Sequence, residues 1–151
     1  MSESTIRAKI VTVLEGAGAV NVYGAAVRIA NDTDAINNFG NGEDSEGLAL
    51  LDGWWIPPAE SNSKRLSRGI THWTHAFSVM GYKTRVDGAE ADAETLAKTM
   101  QSALTERTAF ASLSPTPLVI ETRATVSPAF LAGYPVWETV IAAEVIEYEC
   151  D

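Results

Sequence analysis

The chain has 151 residues, 46% of them hydrophobic, which suits one ordinary domain with a core of its own and excludes general disorder. Eleven Lys and Arg against twenty Asp and Glu give a net charge of −9, which disfavours general binding to nucleic acid or to an anionic membrane. A single cysteine, Cys150, excludes an internal disulfide, and neither a signal peptide nor a membrane span is evident. We therefore expect one reduced, cytosolic domain over residues 1–151.

The first third of the chain predicts one helix, a little strand and a long insert. Residues 4–16 carry apolar side chains at helical spacing, with a serine before them to cap the helix and glycines after them to end it. Residues 20–23 and 25–30 alternate as strands do, and they predict one broken strand or two short ones. Residues 31–69 are rich in Asn, Asp, Gly, Ser and Pro, which predicts a long loop insert.

A cluster of large apolar side chains interrupts this insert. It covers residues 48–56 and includes Trp54, Trp55 and Ile56. One interpretation is a lid that packs on the core. The other is an anchor for a partner, because aromatic residues exposed on loops are typical binding hot spots.

The second half of the chain predicts the centre of the fold. Residues 70–86 alternate as a long strand, and residues 90–108 repeat helical spacing after an acidic first turn. Residues 118–126 and 136–148 are strand-like and should pair antiparallel. The sequence therefore predicts an α+β domain, with a mostly antiparallel or mixed sheet of about four strands and two main helices packed on one face.

The connector between the last two strands, residues 127–135, is too long for a tight turn and too apolar for a solvated loop. It contains Phe130, Leu131 and Tyr134. We expect it to pack against something.

The sequence contains no convincing pattern of catalytic or metal-binding residues. His72 and His75 lie three residues apart on a predicted strand, so their side chains point to opposite faces and cannot bind one metal ion. The acidic residues of the insert lack the spacing of a calcium loop, and Cys150 stands too near the end to be a good nucleophile. Motifs for a nucleophilic serine or a phosphate-binding loop are absent. The sequence predicts no enzyme, no metal and no cofactor.

Charge is distributed unevenly along the sequence. Between Arg28 and Lys64 there are acidic residues but no basic ones, and after Arg123 the basic residues stop altogether. Nearly half of the basic residues lie in one short stretch: Lys64, Arg65, Arg68, Lys83 and Arg85. If the acidic and basic segments reach opposite surfaces, the domain is electrically polar and suited to head-to-tail association. Charges scattered over a solvated surface are the alternative.

The order of these elements resembles the tail terminator proteins of long-tailed bacteriophages and their tail-completion and minor-tail relatives. The features that carry the resemblance are the helix Ile6–Leu14 leading into a short strand, the long insert, the strand Thr74–Val79, the acidic-start helix Glu90–Arg107 and the closing strand Val140–Tyr148. They span nearly the full chain. These features match the family in length, in the order of the elements and in the general pattern of polar and apolar residues, and they include no signature motif.

The resemblance implies a structural virion protein without catalytic activity, assembled in the host cytoplasm. It implies a ring, commonly a hexamer, that caps the tail tube, ends its polymerisation and offers a docking face to the head. The partners would be other copies of the chain, the tail tube protein and a head-completion or connector protein, with DNA passing through the channel without specific binding and no membrane involved. No residue-level motif carries over from the resemblance, and the candidate interface lies mainly in the apolar clusters of the insert and the connector. The candidate residues are Trp54, Trp55, Ile56, Arg65, Arg68, Phe130, Leu131 and Tyr134.

Two alternatives remain open. A head-completion or connector protein of the same particle would share size, ring symmetry and lack of chemistry. A small-ligand-binding α+β domain would instead line a pocket with the aromatic residues Trp73, Phe77, Trp137 and Tyr148.

Overall fold

The computed structural model describes residues 2–25 and 27–150. The α+β class is confirmed, with three helices and a mixed seven-stranded sheet in the described residues. The elements in chain order are α1 (Glu3–Gly16), β1 (Val22–Tyr23), α2 (Asp32–Phe39), β2 (Gly40–Glu43), β3 (Ala49–Trp55), β4 (Glu60–Ser67), β5 (Ile70–Thr84), α3 (Ala89–Thr105), β6 (Leu118–Leu131) and β7 (Tyr134–Cys150).

Strand β5 organises the sheet, whose main order is β1-β3-β5-β7-β6. One edge of β5 pairs with β7 along its whole length, from Ile70 opposite Cys150 to Thr84 opposite Val136. The other edge is shared, because β4 pairs with its first half and β3 with its second. All of these pairs are antiparallel, whereas β1 joins β3 in parallel.

The two long predicted helices are confirmed. In α1 the residues Ile6, Ile10 and Leu14 are fully buried, and the Ser2 hydroxyl accepts a hydrogen bond from the Thr5 amide as N-cap. Helix α3 begins after Gly88, whose φ of 82° is a conformation that favours glycine. Both helices pack on the same side of the sheet, which we call the covered face.

The covered and open faces differ along β5. Phe77 and Val79 point into the core beneath α1 and α3, so alternation directs their neighbours to the other side. On that other side α2 covers only one end of the sheet, where Phe39, Tyr82 and Val136 belong to a second hydrophobic cluster, which we call the α2 cluster. The rest of that side carries no helix among the described elements, and we call it the open face.

The prediction of about four strands and a loop insert is wrong. Residues 31–69 contain α2 and three strands. The Asn31 side chain accepts from the Asp34 amide and starts α2. Strand β4 gives no periodic signal because all eight of its residues are exposed, and backbone pairing with β5 holds it in place.

Two shorter segments also differ from expectation. The predicted connector, residues 127–135, is not a separate element. Strand β6 continues to Leu131, and β7 begins at Tyr134 after a two-residue turn. Ala132 supplies the positive φ, 55°, that this turn uses. Near the N-terminus only Val22–Tyr23 forms a strand; residues 27–30 do not, and Ala26 of the predicted strand 25–30 lies outside the described residues.

Candidate functional site

The tryptophan cluster belongs to the core. Trp54 is 2% exposed and Ile56 is fully buried, and both pack beneath α1 and α3. Trp55 is half-buried on the other side, in edge contact with Phe39 and Tyr82. The interpretation that this segment packs on the core is confirmed, whereas its placement on a loop is wrong. It forms β3, an interior strand with a hydrophobic cluster on each face. Trp54 and Ile56 therefore offer no side-chain surface to a partner.

The two basic candidate residues, Arg65 and Arg68, lie at one end of the sheet. Arg65 belongs to β4 and Arg68 to the tight turn between β4 and β5, and both are exposed. Arg85 lies beyond the other end of β5, where its amide donates to the carbonyl of Pro135. The basic stretch of the sequence is thus split between two ends of a long strand rather than gathered in one patch.

The three candidate residues at the β6–β7 hairpin tip differ in their exposure to solvent. Phe130 is 70% exposed, whereas Leu131 is buried and Tyr134 is half-buried beside the α2 cluster. The Arg85 guanidinium stands 4.9 Å from the centre of the Phe130 ring, and its Nη2 donates to the Ala129 carbonyl at 3.1 Å. Phe130 is therefore an exposed aromatic side chain held by a fixed cation.

The open face contains a shallow groove of about 290 Å³. Small side chains form its floor, because Ser78 pairs directly with Ala142 on β7 and Ala76 lies two residues away. Glu121 and Arg123 of β6 flank it and bond to each other at 2.9 Å, with Glu144 nearby. Sequence reasoning missed this groove, although the small residues Ala76 and Ser78 at alternate positions of β5 were a signal for it.

A chain of hydrogen bonds crosses three strands on the covered face. Ser61 Oγ lies 2.7 Å from His75 Nδ1, and His75 Nε2 lies 3.1 Å from Glu147 Oε1. His75 and Glu147 are 2% and 1% exposed. Since a carboxylate only accepts, a neutral His75 carries its proton on Nε2 and accepts the Ser61 hydroxyl at Nδ1. Sequence reasoning took His75 as an ordinary strand histidine and missed its two partners.

This hydroxyl, imidazole and carboxylate stand in the order that acyl-transfer enzymes use. Such chemistry also needs a cleft that positions a substrate and excludes water. Ser61 lies on β4, whose residues are all exposed, and the groove lies on the opposite side of the sheet. The arrangement is better suited to fastening β4 to β5 and β7.

Two ionisable groups near α2 have shifted pKa values. Burial raises the pKa of Asp52 above its ordinary 3.8, and Lys83, with Nζ 3.5 Å from Oδ2, opposes this without cancelling it. Burial, with the Glu138 carboxylate second, raises the pKa of Tyr82 well above its ordinary value. Tyr82 therefore stays a neutral phenol in the cluster.

Across residues 2–25 and 27–150, no group of three or more His, Cys, Asp or Glu residues is placed to hold a metal ion. No helix in this part of the chain is both long and apolar enough to cross a membrane. No protein-family model matches the chain, and no curated protein is significantly similar to it in sequence.

Proposed function

We propose that this protein is a structural virion subunit that forms a ring, hexameric as in the tail terminator proteins it resembles. The ring caps the tail tube of a long-tailed phage, ends its polymerisation and offers the docking face to the head. The observation that carries this proposal is the open sheet face, because it exposes apolar side chains that a neighbouring subunit can cover.

The exposed apolar residues come from three neighbouring strands. Ile70, Leu118 and Tyr148 are 36%, 48% and 49% exposed. Ile146 pairs with Leu118, and alternation along β7 puts it on the same side as Tyr148. Contiguous apolar groups on a surface are typical of protein contacts, whereas single ones are ordinary.

The sheet edges also support assembly. Among the described residues, β4 and β6 each pair on one side only, with β5 and β7 respectively. Exposed edges accept strands from other chains, and two different edges allow each copy to contact the next head to tail. Head-to-tail contacts close into rings when the rotation between copies permits.

The net charge of −9 is consistent with a channel for DNA. An acidic lumen repels phosphate, so DNA passes without binding. The ring's partners are then the tail tube protein on one side and a head-completion or connector protein on the other.

A neck protein of the same particle, a head-completion or connector subunit, has the same structural requirements and remains the alternative. The ligand-binding alternative loses its predicted pocket. Phe77 is buried in the covered core, whereas Tyr148 lies on the open face stacked on His72. Since these aromatic residues lie on opposite sides of the sheet, they do not line one cavity.

A tube-growth assay tests the proposal. The tail tube protein of the same particle is polymerised with and without this chain, and tube lengths are measured by electron microscopy. The proposal predicts shorter tubes that carry a ring at one end. Unchanged lengths with no bound ring contradict it, and binding to the connector in place of the tube favours the neck alternative.

A further inference from the structure

The hairpin tip of β6 and β7 has the features of a preformed anchor. Phe130 is the most exposed large apolar side chain among the described residues, at 70%. The two-residue turn and the Arg85 bond to the Ala129 carbonyl hold the ring and the guanidinium together. Aromatic and arginine side chains held in place before binding are typical hot spots, because little conformational entropy is lost on association.

The open-face groove has the complementary features. Its floor of Ala76, Ser78 and Ala142 leaves room for a side chain of benzyl size in about 290 Å³. Two carboxylates, Glu121 and Glu144, stand at its rim with one guanidinium, so the rim is acidic on balance. An aromatic ring accompanied by a cation fits this groove in both shape and charge.

The anchor and the groove lie on opposite sides of the sheet. Ala129 and Leu131 pack in the α2 cluster, so alternation directs Phe130 to the covered side. The groove residue Ser78 alternates with the buried Phe77 and Val79 and lies on the open side. A chain therefore cannot fill its own groove with its own hairpin tip.

We propose that Phe130 and Arg85 of one copy insert into the groove around Ala142 of the next copy, with Arg85 facing Glu121 and Glu144. This interface rests on the proposed ring and names the contact that builds it. Because it joins two different surfaces, it is heterologous and passes from copy to copy until the ring closes.

Two variants test the interface from its two sides. Phe130→Glu removes the anchor and brings a negative charge to an acidic rim, whereas Ala142→Trp fills the groove. Both positions are exposed, so the fold should survive, and thermal melting checks this. If Ala142→Trp does not fold, Ser78→Trp blocks the same groove from the neighbouring strand. Leu48→Glu, at a residue 61% exposed just before β3, is the matched control.

The masses of the variants are measured by light scattering, alone and mixed in equal amounts. Phe130→Glu and Ala142→Trp should each be monomeric alone, and Leu48→Glu should form the wild-type ring. The mixture should give a 1:1 dimer, because the intact anchor of the Ala142→Trp copy fits the intact groove of the Phe130→Glu copy. If the wild type forms a ring, two results overturn this interface but not the ring. One is a ring formed by Phe130→Glu, and the other is a folded mixture that stays monomeric. A wild type that stays monomeric at every concentration, alone and with the tail tube protein, overturns the ring as well.

Discussion

His75 Nε2 lies 3.1 Å from Glu147 Oε1, and the two side chains bridge β5 and β7 in the interior of the sheet. Ser61 extends the bridge to the edge strand β4. A buried carboxylate depends on such donors, because its desolvation is costly without them. The bridge therefore ties the exposed edge of the sheet to its centre.

Replacing His75 with Leu should destabilise the protein by about 2–3 kcal/mol, because it removes a donor from a buried carboxylate. Glu147→Leu should cost a similar amount. The double variant should cost clearly less than the sum of the two, since neither polar group is then left behind. Urea unfolding of the four proteins measures the coupling, and strictly additive losses would show that the bridge contributes nothing.

Ser61 should behave as a structural hydroxyl. Ser61→Ala should cost about 1 kcal/mol and increase amide exchange along β4, because His75 Nδ1 loses its partner. A fluorophosphonate probe, which labels activated serines, should react no more with the wild type than with Ser61→Ala. Stoichiometric labelling that the substitution abolishes would instead reveal an acyl-transfer enzyme.

Gly81 accommodates the indole of Trp54. A Cβ at position 81 would lie 2.6 Å from Cζ3 of that ring, which is much closer than van der Waals contact. Gly81→Ala should therefore destabilise the protein by about 1–3 kcal/mol, and adding Trp54→Phe should recover part of the loss. Gly16→Ala, where nothing lies within 4 Å, is the control and should not be destabilising. Equal melting temperatures for Gly81→Ala and the control would contradict this packing.

Asp52 should make stability depend on pH. Burial raises its folded pKa above the ordinary 3.8, so its contribution is fully present below that value and is lost as pH rises through the folded pKa. The free energy of unfolding of the wild type, minus that of Asp52→Asn, should fall between acidic and neutral pH. Denaturant unfolding over a pH series measures this difference. A difference that grows with pH would mean that Lys83 outweighs burial.

The sequence predicted the elements whose burial is periodic. Helices α1 and α3 and strand β5 each bury one regular set of residues, such as Ile6, Ile10 and Leu14, so their apolar spacing was visible. Strand β4 buries no residue, and β3 buries residues on both sides, so neither had the expected alternation. Trp54 and Trp55 were consequently read as part of a loop.

The candidate sites were harder to predict because they depend on strand register. His75 and Glu147 are 72 residues apart, and only the pairing of β5 with β7 brings them together. The groove likewise requires Ser78 to stand beside Ala142. Phe130 was a candidate from the sequence because an apolar residue in a connector is conspicuous there, and its role at an interface stays a prediction.

The most direct test of the ring is the mass of the wild-type chain in solution over a concentration series, by light scattering after size exclusion. Two variants serve as a matched pair: Leu118→Asp on the open face and Leu48→Asp away from it, at residues 48% and 61% exposed. The ring proposal predicts a discrete closed species for the wild type and Leu48→Asp, and its loss in Leu118→Asp. A wild type that stays monomeric at every concentration, with the tail tube protein as well as without it, contradicts the ring.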